Sequence, residues 1–258
     1  MGRSESDPGD VPVGIPAELS AALDAVAATR HLLVTSDFDG TLSPIVNHPA
    51  DARPLPAAAA AMTALAELPS TSVALISGRA LSVLRELSGA PPSVHLVGSH
   101  GAEFDTGFAH EVDEALLGRI TTALDSIAAN RPGITVETKP ASVALHVRNA
   151  SVADGDAALD EARAASQAWD AHLTEGKAVL EFAVISTDKG EAVDILREQT
   201  GATAVVFFGD DVTDEKAFRR MRDADVGVKV GPGETLADYR IGSPEDVAAA
   251  LAYLLDRR

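Results

Sequence analysis

The stretch VTSDFDGTLSPI, residues 34–45, ends an apolar run on two aspartates, Asp37 and Asp39, and follows them at once with Gly-Thr. Two carboxylates so close repel, and burying them is costly unless a cation or a shared proton compensates. Alone, such a pair is equally well a strand-end turn or a cap; its surroundings decide. HLLVTSD (31–37), TSVALIS (71–77), TAVVFFGD (203–210) and DVGVKVG (225–231) are short apolar runs of strand character. They alternate with helical stretches at 57–68, 80–87, 189–200, 214–223 and 244–256, after a first helix near 18–29. Runs without polar alternation suit strands covered on both faces, and the strand–helix rhythm is that of a doubly wound, mostly parallel α/β sheet.

The middle of the chain breaks this rhythm. A helix at 111–129 precedes strands in ITVETK and SVALHVRN, and a helix at 154–170 precedes strands in AHLTEG and AVLEFAV. Two helices alternating with paired strands predict a small α+β sheet inserted into the α/β core. The expected division is a flexible tail over 1–15, a core of 16–106 with 185–258, and an insert of 107–184.

The totals narrow the function classes. A formal charge of −18 excludes nonspecific nucleic-acid or anionic-membrane binding, both of which draw on basic patches. No apolar run reaches the roughly 18 residues of a membrane span, and the polar, acidic start does not read as a secretory signal, so a cytoplasmic protein is expected. With no cysteine, a metal must sit on oxygen or imidazole.

In a doubly wound sheet, ligands bind beyond the carboxyl ends of the strands. Four polar signals fall there: Asp37/Asp39; Ser77 with Gly78 and Arg79; the stretch around Lys189; and GDDVTDE at 209–215. Asp37, Asp39, Asp210, Asp211 and Asp214 cannot share a small volume without a cation, and an all-oxygen cluster is what Mg²⁺ prefers. A carboxylate can also attack phosphorus and form an aspartyl-phosphate, while a second protonates the leaving alkoxide and then activates water. Ser77 and Lys189 suit the phosphoryl oxygens.

DFDGTLSPI, SGR, DKG and GDDVTDE resemble, in order, the four motifs of haloacid-dehalogenase-type phosphatases. The resemblance implies a Rossmann-like core with an inserted cap domain. It also implies Asp37 as nucleophile, Asp39 as general acid/base, Ser77 and Lys189 as phosphate clamp, and Mg²⁺ on Asp37, the Asp39 carbonyl and Asp210. Asp211 and Asp214 match acidic positions that support the metal.

A narrower likeness follows from GSHGAEF, VETKPASVALHVR, GKAVLEF, FFGDDVTDEKAF and GVKVGPGETLADYRI, which resemble trehalose-6-phosphate phosphatases from about Leu32 onward. That family uses its cap to grip the disaccharide, and the matching positions are Glu137, Lys139, Arg148, Lys177 and Glu181, with Gly78, Arg79 and His100 contributed by the core. Without the likeness, the charged cap positions read as strand charges paired across a sheet, and His100 as a group satisfying local backbone. Trp169 reads as packing, and His146 has no assigned role. The expected protein is a monomer hydrolysing a small-molecule substrate, trehalose 6-phosphate. Another sugar phosphate, such as sucrose 6-phosphate, and a catalytically silent sugar-phosphate-binding domain are the alternatives.

Overall fold

The computed structural model describes residues 15–258. The tail expected over 1–15 lies outside the described residues except for Ile15, which is buried. In chain order the helices are α1 (Ala17–Ala27), α2 (Pro56–Ala66), α3 (Leu81–Ser88), α4 (Glu114–Ala128), α5 (Val152–Ser166), α6 (Lys189–Thr200), α7 (Glu215–Phe218) and α8 (Pro244–Arg257). The strands are β1 (Leu32–Ser36), β2 (Thr71–Ile76), β3 (Val94–Gly98), β4 (Glu103–Phe104), β5 (Gly107–Phe108), β6 (Thr135–Lys139), β7 (Ser142–His146), β8 (His172–Gly176), β9 (Val179–Ala183), β10 (Ala204–Gly209), β11 (Val226–Val230) and β12 (Tyr239–Ile241). No described helix is long and apolar enough to cross a membrane.

The chain divides into two compact units, one formed by the described residues up to Asp105 with Asp188–Arg258, the other by Thr106–Thr187. The first carries a sheet of order β12-β11-β10-β1-β2-β3-β4, parallel from β12 to β3. β2 and β3 lie to one side of β1 and β10 to β12 to the other, so β1 is the switch point where such sheets open a crevice at the carboxyl ends. β1 and β10 are buried along their whole length, as their largely apolar sequences suit, with the Thr35 and Ser36 hydroxyls of β1 donating to backbone carbonyls. Leu32, Val34, Val206 and Phe208 join a core with residues of α1, α2 and α8. The unit boundary falls in the turn between β4 and β5. The chain returns close to where it leaves: a Cβ on Gly101 would lie 2.6 Å from the Asp188 carbonyl oxygen.

Two features depart from the sequence expectation. The helix expected over 214–223 stops at Phe218. After it, Arg220 and Met221 donate to the carbonyls three residues back, at Ala217 and Phe218. Asp225 then anchors the chain by accepting from the Arg222 and Val205 N–H groups and pairing with the buried Arg197. That anchor wins over the helical pattern of the segment. Second, β3, β4 and β12 extend the sheet beyond the strands expected.

In the second unit the sheet order is β6-β7-β9-β8, antiparallel throughout. Val143, Leu145, Leu180 and Phe182 pack against Leu116, Ile120 and Leu124 of α4 and Ala158 and Ala162 of α5. Trp169 packs edge-on against Phe182, 5.1 Å between ring centroids, as a core residue.

Candidate active site

The centre begins where β1 runs out. The Asp37 N–H still donates to Phe208 of β10 at 2.9 Å, so its backbone is held as part of the sheet while its side chain passes the edge. Residues 38–43 then fold into a tight turn, with the Leu42 and Ser43 N–H groups on the Phe38 carbonyl and the Gly40 N–H on that of Ser43. Gly40 has φ +81°, and a Cβ there would lie 2.1 Å from Asp210 Oδ2, so both conformation and space demand glycine. Thr41 Oγ1 donates to Asp210 Oδ1 at 3.1 Å.

Asp37, Asp210 and Asp214 each present a carboxylate oxygen within 4.8 Å of the others. Asp37 and Asp214 are buried, and so is Lys189, whose Nζ lies 2.7 Å from an oxygen of each. Lys189 opens α6 behind the N-cap Asp188, whose carboxylate accepts from the Glu191 N–H. A helix N-terminus is an unfavourable place for an ammonium, and here two carboxylates compensate it. Burial alone would lower the Lys189 pKa, but Asp37 and Asp214 outweigh it and hold the group above its ordinary value. The reverse holds for Asp37: burial, with the charge of Asp214 adding to it, raises its pKa to about 8 despite Lys189. Asp210 is raised too, by burial and then by Asp214.

One ammonium therefore does not balance three carboxylates. The residues present fit a metal ion: the donors are all oxygen, the charge imbalance is negative, and the group is held at a strand-end crevice. Within the cluster, both Asp214 oxygens are engaged, one accepting from Lys189 and the other from the Asp211 N–H. Asp211 itself is exposed and accepts from the Val212 N–H at 2.7 Å.

The Asp39 carboxylate stands apart from this cluster. Arg79 holds it in a two-pronged pair, Nε and Nη2 each 2.7 Å from one oxygen. Arg79 follows the buried Ser77, whose Oγ accepts from the Arg79 N–H. The loop is locked from behind by GSHG: Ser99 N–H donates to the Arg79 carbonyl and His100 N–H to that of Ser77. Ser99 and His100 both have positive φ, 49° and 56°, a strained arrangement for non-glycine residues. The His100 ring covers Gly78, where a Cβ would be 2.3 Å from Cε1. Sequence reasoning missed Thr41 and Glu103. Glu103 is buried and accepts from the Leu81 N–H at 2.6 Å, satisfying the start of α3 beside Arg79. Its place at the end of GSHGAE was the available signal.

In the second unit the alternation that buries Val143, Leu145, Leu180 and Phe182 turns Glu137, Lys139 and Glu181 to the face away from α4 and α5. Lys139 Nζ and Ser142 Oγ both donate to Glu181, at 2.9 and 2.6 Å. Glu137 pairs with His146 Nε2 at 2.8 Å. Arg148 lies past the end of β7 and Lys177 in the turn from β8 to β9. That is the opposite end of the sheet from Lys139, so the five positions spread along the strands rather than converging.

Comparison with known proteins points to a family. The family model described as Trehalose-phosphatase matches residues 35–242. A trehalose-phosphate phosphatase of Mycobacterium avium (strain 104) is 34% identical over 93% of this chain, which spans 66% of that protein, about two thirds of its length. The trehalose-6-phosphate phosphatase of Escherichia coli (strain K12) is 35% identical over 82% of both chains. The solved C-terminal domain of a C. albicans trehalose-6-phosphate phosphatase aligns with TM-score 0.74 at 22% identity, covering 94% of this chain and 98% of that one, a likeness of fold. Since the matched span runs from β1 to β12 and takes in all three clustered carboxylates and Lys189, the chain belongs to the trehalose-phosphatase family.

Proposed function

We propose that the chain hydrolyses trehalose 6-phosphate to trehalose and phosphate, with Mg²⁺, through an aspartyl-phosphate on Asp37. The observation that carries this reading is the buried Asp37 carboxylate held against Lys189 at the switch point of the sheet, in a chain of this family. Asp37 attacks phosphorus as the bond from phosphorus to the sugar oxygen breaks. Asp39 delivers a proton to the departing alkoxide, then removes one from the water that cleaves the acyl phosphate and restores Asp37. Asp39 is held by Arg79, so each proton transfer requires that fork to loosen. Lys189 and the Ser77 hydroxyl face the negative charge of the phosphoryl group.

Asp37, Asp210 and the Asp39 carbonyl would hold Mg²⁺, with Asp211 and Asp214 supporting, and the ion would neutralise phosphoryl charge during transfer. In the same reading Thr106–Thr187 is the specificity cap, with Glu137, Lys139, Arg148, Lys177 and Glu181 offering hydrogen bonds to sugar hydroxyls, and Gly78, Arg79 and His100 contributing from the core. A charge of −18 favours dispersal in solution as a monomer, and in this reading the protein acts in the cytoplasm on a small molecule.

The test is phosphate release from trehalose 6-phosphate beside a panel that includes sucrose 6-phosphate, with Mg²⁺ and with chelator. Metal-dependent preference for trehalose 6-phosphate is expected. Activity confined to other substrates would remove the cap assignment and leave the core chemistry, and binding without release would remove both.

A further inference from the structure

The buried Lys229 belongs to neither the nucleophile nor the phosphate clamp. In DVGVKVG (225–231), Val226, Val228 and Val230 join the main hydrophobic core, so Lys229 projects from the opposite face of β11. That face carries α7: a Cβ on Gly227 would lie 3.1 Å from Phe218 Cδ1. Lys229 is only 4% exposed. An ammonium on a central parallel strand is costly to bury unless its protons are used.

Its partners lie at the acidic cluster. Lys229 pairs in register with Gly209, the residue before Asp210. Its Nζ donates to the main-chain carbonyl of Asp210 and stands 3.9 Å from Glu215 Oε1. That Glu215 oxygen is itself buried with no hydrogen-bond partner, while its other oxygen accepts from the Leu236 N–H at 2.7 Å. Asp210 is thus fixed at two points, its carboxylate by Thr41 and its peptide by Lys229.

We propose that Lys229 is a positioning residue for the acidic cluster: its buried ammonium fixes the Asp210 peptide at the end of β10 and thereby sets the affinity of the cluster for a divalent cation. This rests on the reading of the cluster as a cation site. Groups that hold a metal ligand from behind are often worth as much as the ligand's own alignment. The sign of the effect separates positioning from simple charge balance. Removing a positive charge near three carboxylates tightens cation binding by Coulomb attraction, whereas freeing the Asp210 peptide weakens it.

The experiment is calorimetric titration of the metal-free chain with Mg²⁺, in the wild type and in Lys229→Met, which keeps length and loses the charge and the donor. The expected result is binding about 10-fold weaker in Lys229→Met, with turnover regained at saturating Mg²⁺ and KM for the sugar phosphate unchanged. Equal or tighter Mg²⁺ binding overturns the inference, as does a turnover loss that saturation does not restore. Lys229→Gln, titrated alongside, decides in the same way if circular dichroism finds Lys229→Met unfolded. A wild type that gives no Mg²⁺ heat and releases phosphate regardless of chelator removes the cation-site reading and this inference with it. Wild-type binding with an unaffected Lys229→Met removes the inference alone.

Discussion

The Asp37 cluster and the polar face of the β6–β9 sheet use the same residue types in opposite ways. Around Asp37 the charges are buried and shared, with Lys189 serving two carboxylates at 2.7 Å, and burial raises the carboxylate pKa values. On the β6–β9 sheet they form separate couples, Lys139 with Glu181 and Glu137 with His146, each partly open to solvent. Crowded, desolvated charge alters reactivity; dispersed, hydrated charge offers hydrogen bonds without altering it. The first region therefore suits bond breaking, and the second suits recognition.

The comparison breaks most sharply at Asp37. Asp37→Asn keeps the shape of the cluster and removes the attacking oxygen, and hydrolysis of every phosphate ester should fall by about 10⁴-fold or more. A variant that still turns over sugar phosphate would end the nucleophile assignment, as measured by steady-state phosphate release. A cap substitution should behave differently. Glu181→Ala should lower kcat/KM for trehalose 6-phosphate by about 10-fold, the worth of a charge-assisted hydrogen bond. Its hydrolysis of p-nitrophenyl phosphate should hardly change, and equal losses on both substrates would erase the distinction between the regions.

The smallest effect is on stability. With its pKa raised to about 8, folded Asp37 retains a proton that the unfolded chain has already released above its ordinary carboxylate range. Its contribution is complete below the unfolded value and is lost as pH rises toward about 8. In chelator, the melting temperature of Asp37→Asn should therefore gain on the wild type as pH rises from about 5 to about 8. A constant gap across that range would mean that Asp37 is ionised throughout.

The fold was legible wherever strands are buried on both faces. β1, β2, β10 and β11 read as apolar runs because helices or chain cover each side, and their polar ends marked the crevice. β4, β5 and β12 were not legible, since strands of two or three residues leave no periodic signal. The excess length given to α7 came from a local pattern overridden by Asp225, whose partners Arg197 and Val205 are distant in sequence. At the site, motif order was enough to name residues that the structure gathers, among them Asp37, Lys189 and Asp210. The pairings among them were not, because the Arg79–Asp39 fork spans 40 positions and the Lys229 contact depends on which strand neighbours β11. Lys229 itself stood in plain view as a charge inside a valine run.

The pairing of β1 with β10 also fixes when the site can exist. Thr41 and Asp210 are 169 positions apart, so no chain that stops short of Asp210 contains the cluster, whatever else has folded. Nearly half of that separation is the insert, which has a core of its own and whose ends are drawn together where Gly101 meets Asp188. Once folded, the insert acts as a short link rather than a long loop, and the closure entropy of joining β1 to β10 falls accordingly. During synthesis from the amino terminus Asp37 emerges well before Asp210 and Asp214, and waits without those acidic partners until the segment that carries them has been made.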